Sequence, residues 1–364
     1  MRLISLQANN FLSYKEIDLQ FSKDKNITFL IGKNGVGKSS LVEAILWGIF
    51  GKTNRNSLEK FIPNIQDPKK AKVSLAFGGN ELLIERQKNP PLFSYISKNE
   101  KIRLQTITET QESLDIYLHH SYKLFLATSF FDDILKNAFL ELSSEDKRQV
   151  VGQYFELDDF FKLRKLIRSS SDDLKNIIKH HEYFEKVFNF TTTNFALKSS
   201  IIEKQYLDFW VEALSDNGII KNVLSPTFQQ LTNKINFYLK LLFDENIFFS
   251  LTPDYESYLR IDGMELGIKS ISSSQKKRVN LSIMLGLREL LTELKNPKLG
   301  NLMIFDEFSG LDPFSKTKLC NLITHLGKTN QIFLITHDMD FLSLIDSNVL
   351  EVTFEDGFSK CKFK

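Results

Sequence analysis

Two cysteines, Cys320 and Cys361, are all that the 364 residues contain. A disulfide scaffold is therefore excluded, as is any zinc site built on CxxC pairs, and a reducing compartment fits. Charge of one sign is also lacking. Lys and Arg number 47 against 45 Asp and Glu, a net +2, which argues against a bulk polycation coating nucleic acid while leaving room for a local basic groove. No run reaches the roughly 18 apolar residues that span a bilayer, and the opening Met1-Arg2-Leu3-Ile4-Ser5-Leu6-Gln7 turns polar too soon for a signal peptide. The expectation is a soluble, cytoplasmic protein. There is no internal repeat and no low-complexity tract.

What is present is apolar residue in quantity, 42% of the chain, enough to bury a sizeable core and to exclude wholesale disorder. The length suits one large α/β unit or two lobes. Segments 2–10 and 15–21 predict paired strands, and Ile27-Thr28-Phe29-Leu30-Ile31 a buried one. Residues 72–77, 81–87 and 92–97 alternate as a meander does. From about 110 to 245 the pattern is mostly helical. Leu157, Phe160, Phe161, Leu163, Leu166, Ile167, Leu174, Ile177 and Ile178 predict one amphipathic helix, with Ser169-Ser170-Ser171 as a candidate interruption. Thr191-Thr192-Thr193-Asn194 marks a turn, native or a joint, and Ile201, Ile202, Tyr206, Phe209 and Trp210 a return helix. Sustained heptads are lacking, so the pair reads as a short antiparallel hairpin. Pro226 suits the first position of a helix running to Phe243. Strands are expected at 247–251, 256–261, 301–305, 331–335 and 349–354, with a helix at 274–294 that stops before Asn296-Pro297. The organisation expected is lobe I at 1–155, a helical hairpin at 156–215 and lobe II at 216–364.

Gly32-Lys33-Asn34-Gly35-Val36-Gly37-Lys38-Ser39 fits GxxxxGK[ST], after an apolar strand and at the start of a helix. In that context the loop of Asn34, Gly35 and Gly37 turns backbone N–H groups towards phosphate oxygens, and the helix start, with Ser40 in its first turn, adds positive potential. Lys38 would neutralise β/γ charge and Ser39 would ligate Mg²⁺. The plain alternative is a glycine-rich turn without a ligand. In Leu302-Met303-Ile304-Phe305-Asp306-Glu307 an apolar run carries two carboxylates to a strand end, the edge where open α/β sheets bind ligands. Asp306 would hold Mg²⁺ and Glu307 would polarise water as general base. Ile332-Phe333-Leu334-Ile335-Thr336-His337 repeats the geometry, and His337 is a candidate for sensing the γ-phosphate or holding the water, the plain alternative being an incidental histidine, one of six. The pairs His119-His120 and His180-His181 read as surface residues.

Together these residues resemble an ABC-type ATPase head of the SMC-like family. The similarity is greatest to its SbcC branch, including the large ATPase subunits of phage recombination endonucleases. The resemblance is carried by Asn10-Phe11-Leu12-Ser13-Tyr14-Lys15, by the continuation Leu41-Val42-Glu43-Ala44-Ile45-Leu46-Trp47-Gly48, and by Phe139-Leu140-Glu141-Leu142-Ser143 with Asp146-Lys147-Arg148. The stretch from Gly218-Ile219-Ile220 to Asn236 resembles re-entry into the second lobe, and Ser309-Gly310-Leu311-Asp312 resembles the D-loop. The match covers both lobes and leaves out the hairpin.

The resemblance implies ATP and Mg²⁺ as ligands, and a homodimer that closes on ATP. In that dimer the phosphate loop of one copy faces a signature helix of the other. The signature position reads Ile271-Ser272-Ser273-Ser274-Gln275, where the family has Ser-Gly-Gly followed by Gln or Glu. Ser272 would contact the γ-phosphate in trans, with Ser274 and Asp312 also on the nucleotide; the alternative is an ordinary serine-rich helix cap. Lys38 and Ser272 lie 234 positions apart, with the hairpin between them, which separates the chain from transporter subunits. The Q-loop Gln is missing from Phe131-Asp132-Asp133-Ile134, so Asp133 (or Asp132) is a candidate metal-side replacement or a plain loop carboxylate. The hairpin carries no cysteine, so it has no zinc hook. Its basic residues, among them Lys162, Arg168 and Lys175, are interleaved with Asp158, Asp172 and Glu182, which suits a solvated face better than a nucleic-acid groove.

The implied role is the ATPase subunit of a DNA end-processing complex. It would act on double-stranded DNA ends with an SbcD-type metallo-nuclease subunit as partner. Rival readings are a RecF-like ATP-dependent DNA loader, an SMC-like clamp, and a defence ATPase with another effector.

Overall fold

The computed structural model describes residues 1–54, 62–63, 70–79, 81–132, 139–154, 158–188, 194–215, 218–252, 255–266, 270–306 and 311–364. Two compact units make up the chain. One comprises Met1–Glu141, Lys234–Phe248 and Arg260–Lys364; the other comprises Leu142–Asn233 and Phe249–Leu259. Among the described residues no helix is long and apolar enough to cross a membrane.

The first unit opens with β1 (Leu3–Phe11) and β2 (Tyr14–Gln20), antiparallel with Leu6 opposite Leu19. Then come β3 (Ile27–Ile31), α1 (Lys38–Phe50), and the meander β4 (Ala71–Phe77), β5 (Leu82–Lys88), β6 (Leu92–Ser97) and β7 (Glu100–Ile102). Helices α2 (Ile107–Leu118) and α3 (Tyr122–Ser129) lead to a short strand, β8 (Phe130–Asp132). The other unit holds α4 (Ser144–Tyr154), α5 (Asp158–Phe188) and α6 (Asn194–Ala213). Helix α7 (Ile219–Leu242) follows, then β9 (Ile247–Leu251), β10 (Ser257–Ile261) and β11 (Met264–Leu266), which form a three-stranded sheet. The chain ends with α8 (Ser273–Lys295), β12 (Leu302–Asp306), α9 (Pro313–Gly327), β13 (Gln331–Ile335), α10 (Met339–Leu344), β14 (Asn348–Glu355) and β15 (Phe358–Phe363).

The main sheet has twelve strands among the described residues, in the order β7-β6-β5-β4-β1-β2-β15-β14-β3-β13-β12-β8. Its two halves follow from sequence pattern. From β7 to β2 the pairing is antiparallel and residues tend to alternate between buried and open, as in β2, where buried Ile17 and Leu19 alternate with exposed Glu16, Asp18 and Gln20. From β14 to β8 the pairing is parallel, and β3, β13 and β12 are almost wholly buried, as their unbroken apolar runs require.

Helix α1 lies inside this core. Leu41 to Phe50 are all buried, so apart from Glu43 the helix is apolar around its circumference rather than on one stripe. Phe11 packs on Trp47 at 5.6 Å and Phe50 on Phe125 at 5.3 Å. The helix ends at Gly51, in the left-handed region (φ 68), whose N–H returns to the Trp47 carbonyl. Buried Arg86, 3.7 Å above the Phe93 ring, donates from Nε to the Gly48 carbonyl at 3.2 Å, placing a cation on the negative end of the helix dipole.

Three expectations are corrected. Pro226 lies inside α7 rather than at its first turn. Its ring removes one backbone hydrogen bond, and burial of Phe228, Leu231, Ile235, Leu239 and Leu242 along one stripe carries the helix through. Ser169-Ser170-Ser171 do not interrupt α5. Ser170 Oγ bonds back to the Leu166 carbonyl four residues earlier, a local bond that a continuous helix accommodates, and Ser171 Oγ donates to Asp208 on α6 rather than to the helix backbone. His120 is 2% exposed rather than a surface residue. His119 takes a left-handed conformation (φ 53) at the end of α2, and that turns its neighbour inward. There the His120 ring meets Phe125 edge-on, with Nε2 3.3 Å from Thr128 Oγ1.

On α5 and α6, Leu163, Leu166, Ile177, Tyr183, Ile202, Tyr206, Phe209 and Trp210 are exposed. Lys162, Lys165, Arg168, Lys175 and Lys179 stand in solvent alongside Asp172 and Asp173, a mixed-charge face.

Candidate functional site

The parallel half of the sheet gathers the chemistry at one edge. Leu30 is in register with Ile335, Ile335 with Asp306, and Asp306 with Asp132. The strands run the same way, so their C-terminal ends align. The loop 32–37 leaves β3, Thr336 and His337 follow β13, and Asp306 and Asp132 close β12 and β8. In-register residues of parallel strands share a face, which sets the Asp306 and Asp132 side chains on the same side.

The loop depends on its glycines at two positions. A Cβ on Gly32 (φ 147) would sit 2.2 Å from the Val352 carbonyl oxygen, and one on Gly37 (φ 106) would sit 2.4 Å from Ser359 Oγ and 2.6 Å from Ser13 Oγ. Gly37 caps α1 without a side chain, which leaves the first-turn N–H groups available to an anion. Lys38 is 6% exposed, and its Nζ donates to the carbonyls of Gly32 and Lys33, both at 2.9 Å. The lysine thus arches back over its own loop. One residue on, Ser39 Oγ donates to Asp306 Oδ1 at 3.3 Å. A cavity of about 370 Å³ opens here, lined by Asn34, Gly35, Gly37, Lys38, Ser39, Ser40, Asp306, Ile335 and His337. A hydroxyl and a carboxylate side by side at its wall are hard oxygen ligands of the kind Mg²⁺ takes, and a lysine and helix N-terminus beside them suit a polyphosphate.

Support from behind was not legible in the sequence. Tyr14 donates its OH to the Gly37 carbonyl at 3.1 Å. Ser13 and Ser359 share a 2.7 Å hydroxyl contact, and the Ser359 N–H donates to the Ser13 carbonyl at 2.8 Å. The alternation in 358–363 marks a strand, β15, but not its place behind the loop.

Asn54 joins the other flank. Its N–H donates to Glu43 Oε2 at 2.8 Å and its Nδ2 to Asp132 Oδ2 at 3.1 Å. Glu307 and Asp133, expected as general base and metal-side ligand, lie outside the described residues, as do Ser309 and Gly310.

The remaining expected residues do not line this cavity. Ser272 caps α8: its Oγ accepts from the Gln275 N–H at 3.2 Å while Gln275 Oε1 accepts from the Ser272 N–H at 2.9 Å, a reciprocal capping box. Ser272 and Ser273 are exposed, and the buried Ser274 Oγ has no partner among the described residues. Asp312 caps α9 by accepting from the Ser315 N–H (2.9 Å) and hydroxyl (2.6 Å). Those bonds from Ser315 hold its carboxyl below the usual carboxylate range.

The RecF/RecN/SMC N-terminal domain family matches residues 2–360. The DNA double-strand break repair Rad50 ATPase of Methanocaldococcus jannaschii is 26% identical over 193 residues, 52% of this chain and 18% of that protein. Exonuclease subunit 2 of Escherichia phage RB69 is 28% identical over 165 residues, 44% of this chain and 29% of that one. The DNA replication and repair protein RecF of Clostridioides difficile is 24% identical over 400 aligned positions, 98% of this chain and 97% of that one. The chain thus spans about a fifth of the length of the Rad50 relatives and nearly the whole of RecF. Among solved structures, the Pyrococcus furiosus Smc head domain, with an extended coiled coil and bound to the C-terminal domain of ScpA, covers all of this chain. It does so with 96% of its own length, at a TM-score of 0.65 and 18% identity. The chain belongs to the RecF/RecN/SMC N-terminal domain family and has the α/β fold of an SMC-like ABC ATPase head.

Proposed function

We propose that this head binds ATP with Mg²⁺, pairs with a second copy across the nucleotide, and separates from it on hydrolysis. The observation that carries this is the Ser39–Asp306 hydrogen bond beside the Lys38 loop. Backbone N–H groups of the loop and the Lys38 ammonium would hold the phosphates. Ser39 and Asp306 would hold the metal ion, which when bound supplies charge neutralisation on the β/γ oxygens. Glu307 would take the proton of the attacking water, and His337, exposed at the cavity rim, would meet the γ-phosphate. Ser272 and Ser274 would close the site of the partner copy, with Asp312 beside them, and Asp133 would serve at the metal. Lys38→Ala tests the reading: loss of ATP binding with the fold retained supports it, and unchanged affinity contradicts it.

The lobes at 1–155 and 216–364, with the hairpin at 156–215 between them, are part of this proposal. The chain would act at double-stranded DNA ends in the cytoplasm with a metallo-nuclease subunit of SbcD type, ATP gating access of DNA to the nuclease. Two observations support a protein partner: the similarity to Rad50 and to a phage exonuclease subunit, and the exposed apolar and aromatic side chains of α5 and α6, which suit docking. End-to-end similarity to RecF favours a second reading, an ATP-dependent DNA binder that works without a nuclease. Purification from the native source separates the two. A co-purifying nuclease supports the first, and a nuclease-free chain binding gapped DNA in an ATP-dependent way supports the second.

A further inference from the structure

Arg288 is the point where α8 is tied to the sheet. The residue is 6% exposed. Its Nη1 donates to the Thr128 carbonyl at 3.3 Å, to Ser129 Oγ at 2.7 Å and to the Leu302 carbonyl at 3.2 Å. Its Nη2 donates to Asn330 Oδ1 at 2.9 Å and to the Gly300 carbonyl. Burial pushes its pKa down to about 9, so it remains a cation near neutrality.

The acceptors are not scattered. Thr128 and Ser129 stand immediately before β8, Gly300 and Leu302 at the entrance to β12, and Asn330 immediately before β13. These strands are adjacent and parallel. One guanidinium therefore grips the starting ends of three strands. Their finishing ends carry Asp132, Asp306 and Thr336-His337. The helix that bears Arg288 begins at the Ser272 cap, sixteen residues back, about 24 Å at 1.5 Å per residue. A strand and a helix are both stiff over such lengths, so an angular error at Arg288 reappears, enlarged, at Ser272.

We propose that Arg288 is a positioning residue for the nucleotide reaction: it sets the angle of α8 against β8, β12 and β13, and so fixes where the Ser272 end stands relative to the Asp306 edge. The inference rests on the ATP-dependent head pairing proposed above. Arginine is the residue for this task because its planar fork presents donors in fixed directions. Lysine carries three donors on one atom and cannot reach all five acceptors. An apolar side chain would leave buried carbonyls without donors.

The test uses the full chain with Arg288→Lys, alone and on a Glu307→Gln background. It measures the Kd of a fluorescent ATP analogue, steady-state kcat, dimer mass with Mg-ATP by light scattering, and the urea midpoint. The expected result is analogue affinity within about twofold of the parent, with dimerisation weakened and kcat lowered by about tenfold or more. Ser129→Ala deletes one acceptor and leaves the arginine in place. Its expected effect is smaller and in the same direction, and it keeps the test open where Arg288→Lys does not fold. Dimerisation and kcat at parental values in both variants overturn the proposal. So does a loss of analogue affinity in step with the urea midpoint, which is what a merely structural residue would give. A parent chain that binds no ATP overturns the ATPase reading itself, a result distinct from unchanged variants of a parent that does.

Discussion

Ser39 Oγ stands 3.3 Å from Asp306 Oδ1 across 267 positions of sequence. The pair joins the first turn of α1 to the end of β12, with β13 lying between β12 and β3. A hydroxyl and a carboxylate from distant segments thus meet at the cavity wall, in front of the loop that would hold phosphate.

Asp306→Asn keeps the shape and removes the charge. The expected outcome is an ATP Kd weakened by about tenfold or more in Mg²⁺, a loss of about 1.4 kcal/mol, with affinity in EDTA close to the parent value. Titration calorimetry in the two buffers decides. Equal losses with and without metal would place Asp306 outside the metal site.

The loop conformation is as testable as its ligands. Gly37→Ala puts a Cβ against two hydroxyls at a positive φ, a strain of about 1–3 kcal/mol, and is expected to weaken ATP binding by about tenfold or more. Tyr14→Phe removes one hydrogen bond to the Gly37 carbonyl, worth about 1 kcal/mol, and is expected to raise the Kd by about fivefold. Binding isotherms with circular dichroism as a fold control check both. An unaltered Kd in Tyr14→Phe would mean that the helix cap alone orients the loop.

His120 links stability to pH. Burial pushes its pKa down to about 3, with Arg288 and Lys295 adding in the same direction. The unfolded chain, near 6.5, then binds the extra proton between those values, and stability is lost as pH falls from about 6.5. Asp115 works oppositely. Burial pushes its carboxyl up to about 6 against the hydrogen bond from Gln111, so its contribution is lost as pH rises from about 4 to 6. In that window the two slopes offset in the parent. His120→Leu leaves Asp115 alone, and its stability relative to the parent is expected to grow by about 1.4 kcal/mol per unit of acidification between pH 6 and 4.5. Urea midpoints at several pH values measure this. A difference independent of pH would show that His120 is protonated in the folded protein.

Local pattern made the loop and the carboxylate strand legible. An apolar run, a glycine spacing and a lysine identify 27–39, and an apolar run before Asp306 identifies β12. What was illegible is long-range or hangs on one dihedral angle. Ser359 backs the loop from a strand more than three hundred positions away, and Arg288 finds Thr128 across 160 positions; neither partner marks the other. His120 turned inward because one residue before it, His119, adopts a left-handed conformation. Pro226 misled because tertiary burial of an apolar stripe outweighed one lost hydrogen bond.

The central claim is that ATP closes two of these heads on each other despite serines at the signature position. Light scattering of Glu307→Gln protein, with and without Mg-ATP, tests it most directly. The account predicts a doubling of mass on adding nucleotide. Monomer mass with nucleotide demonstrably bound would contradict it.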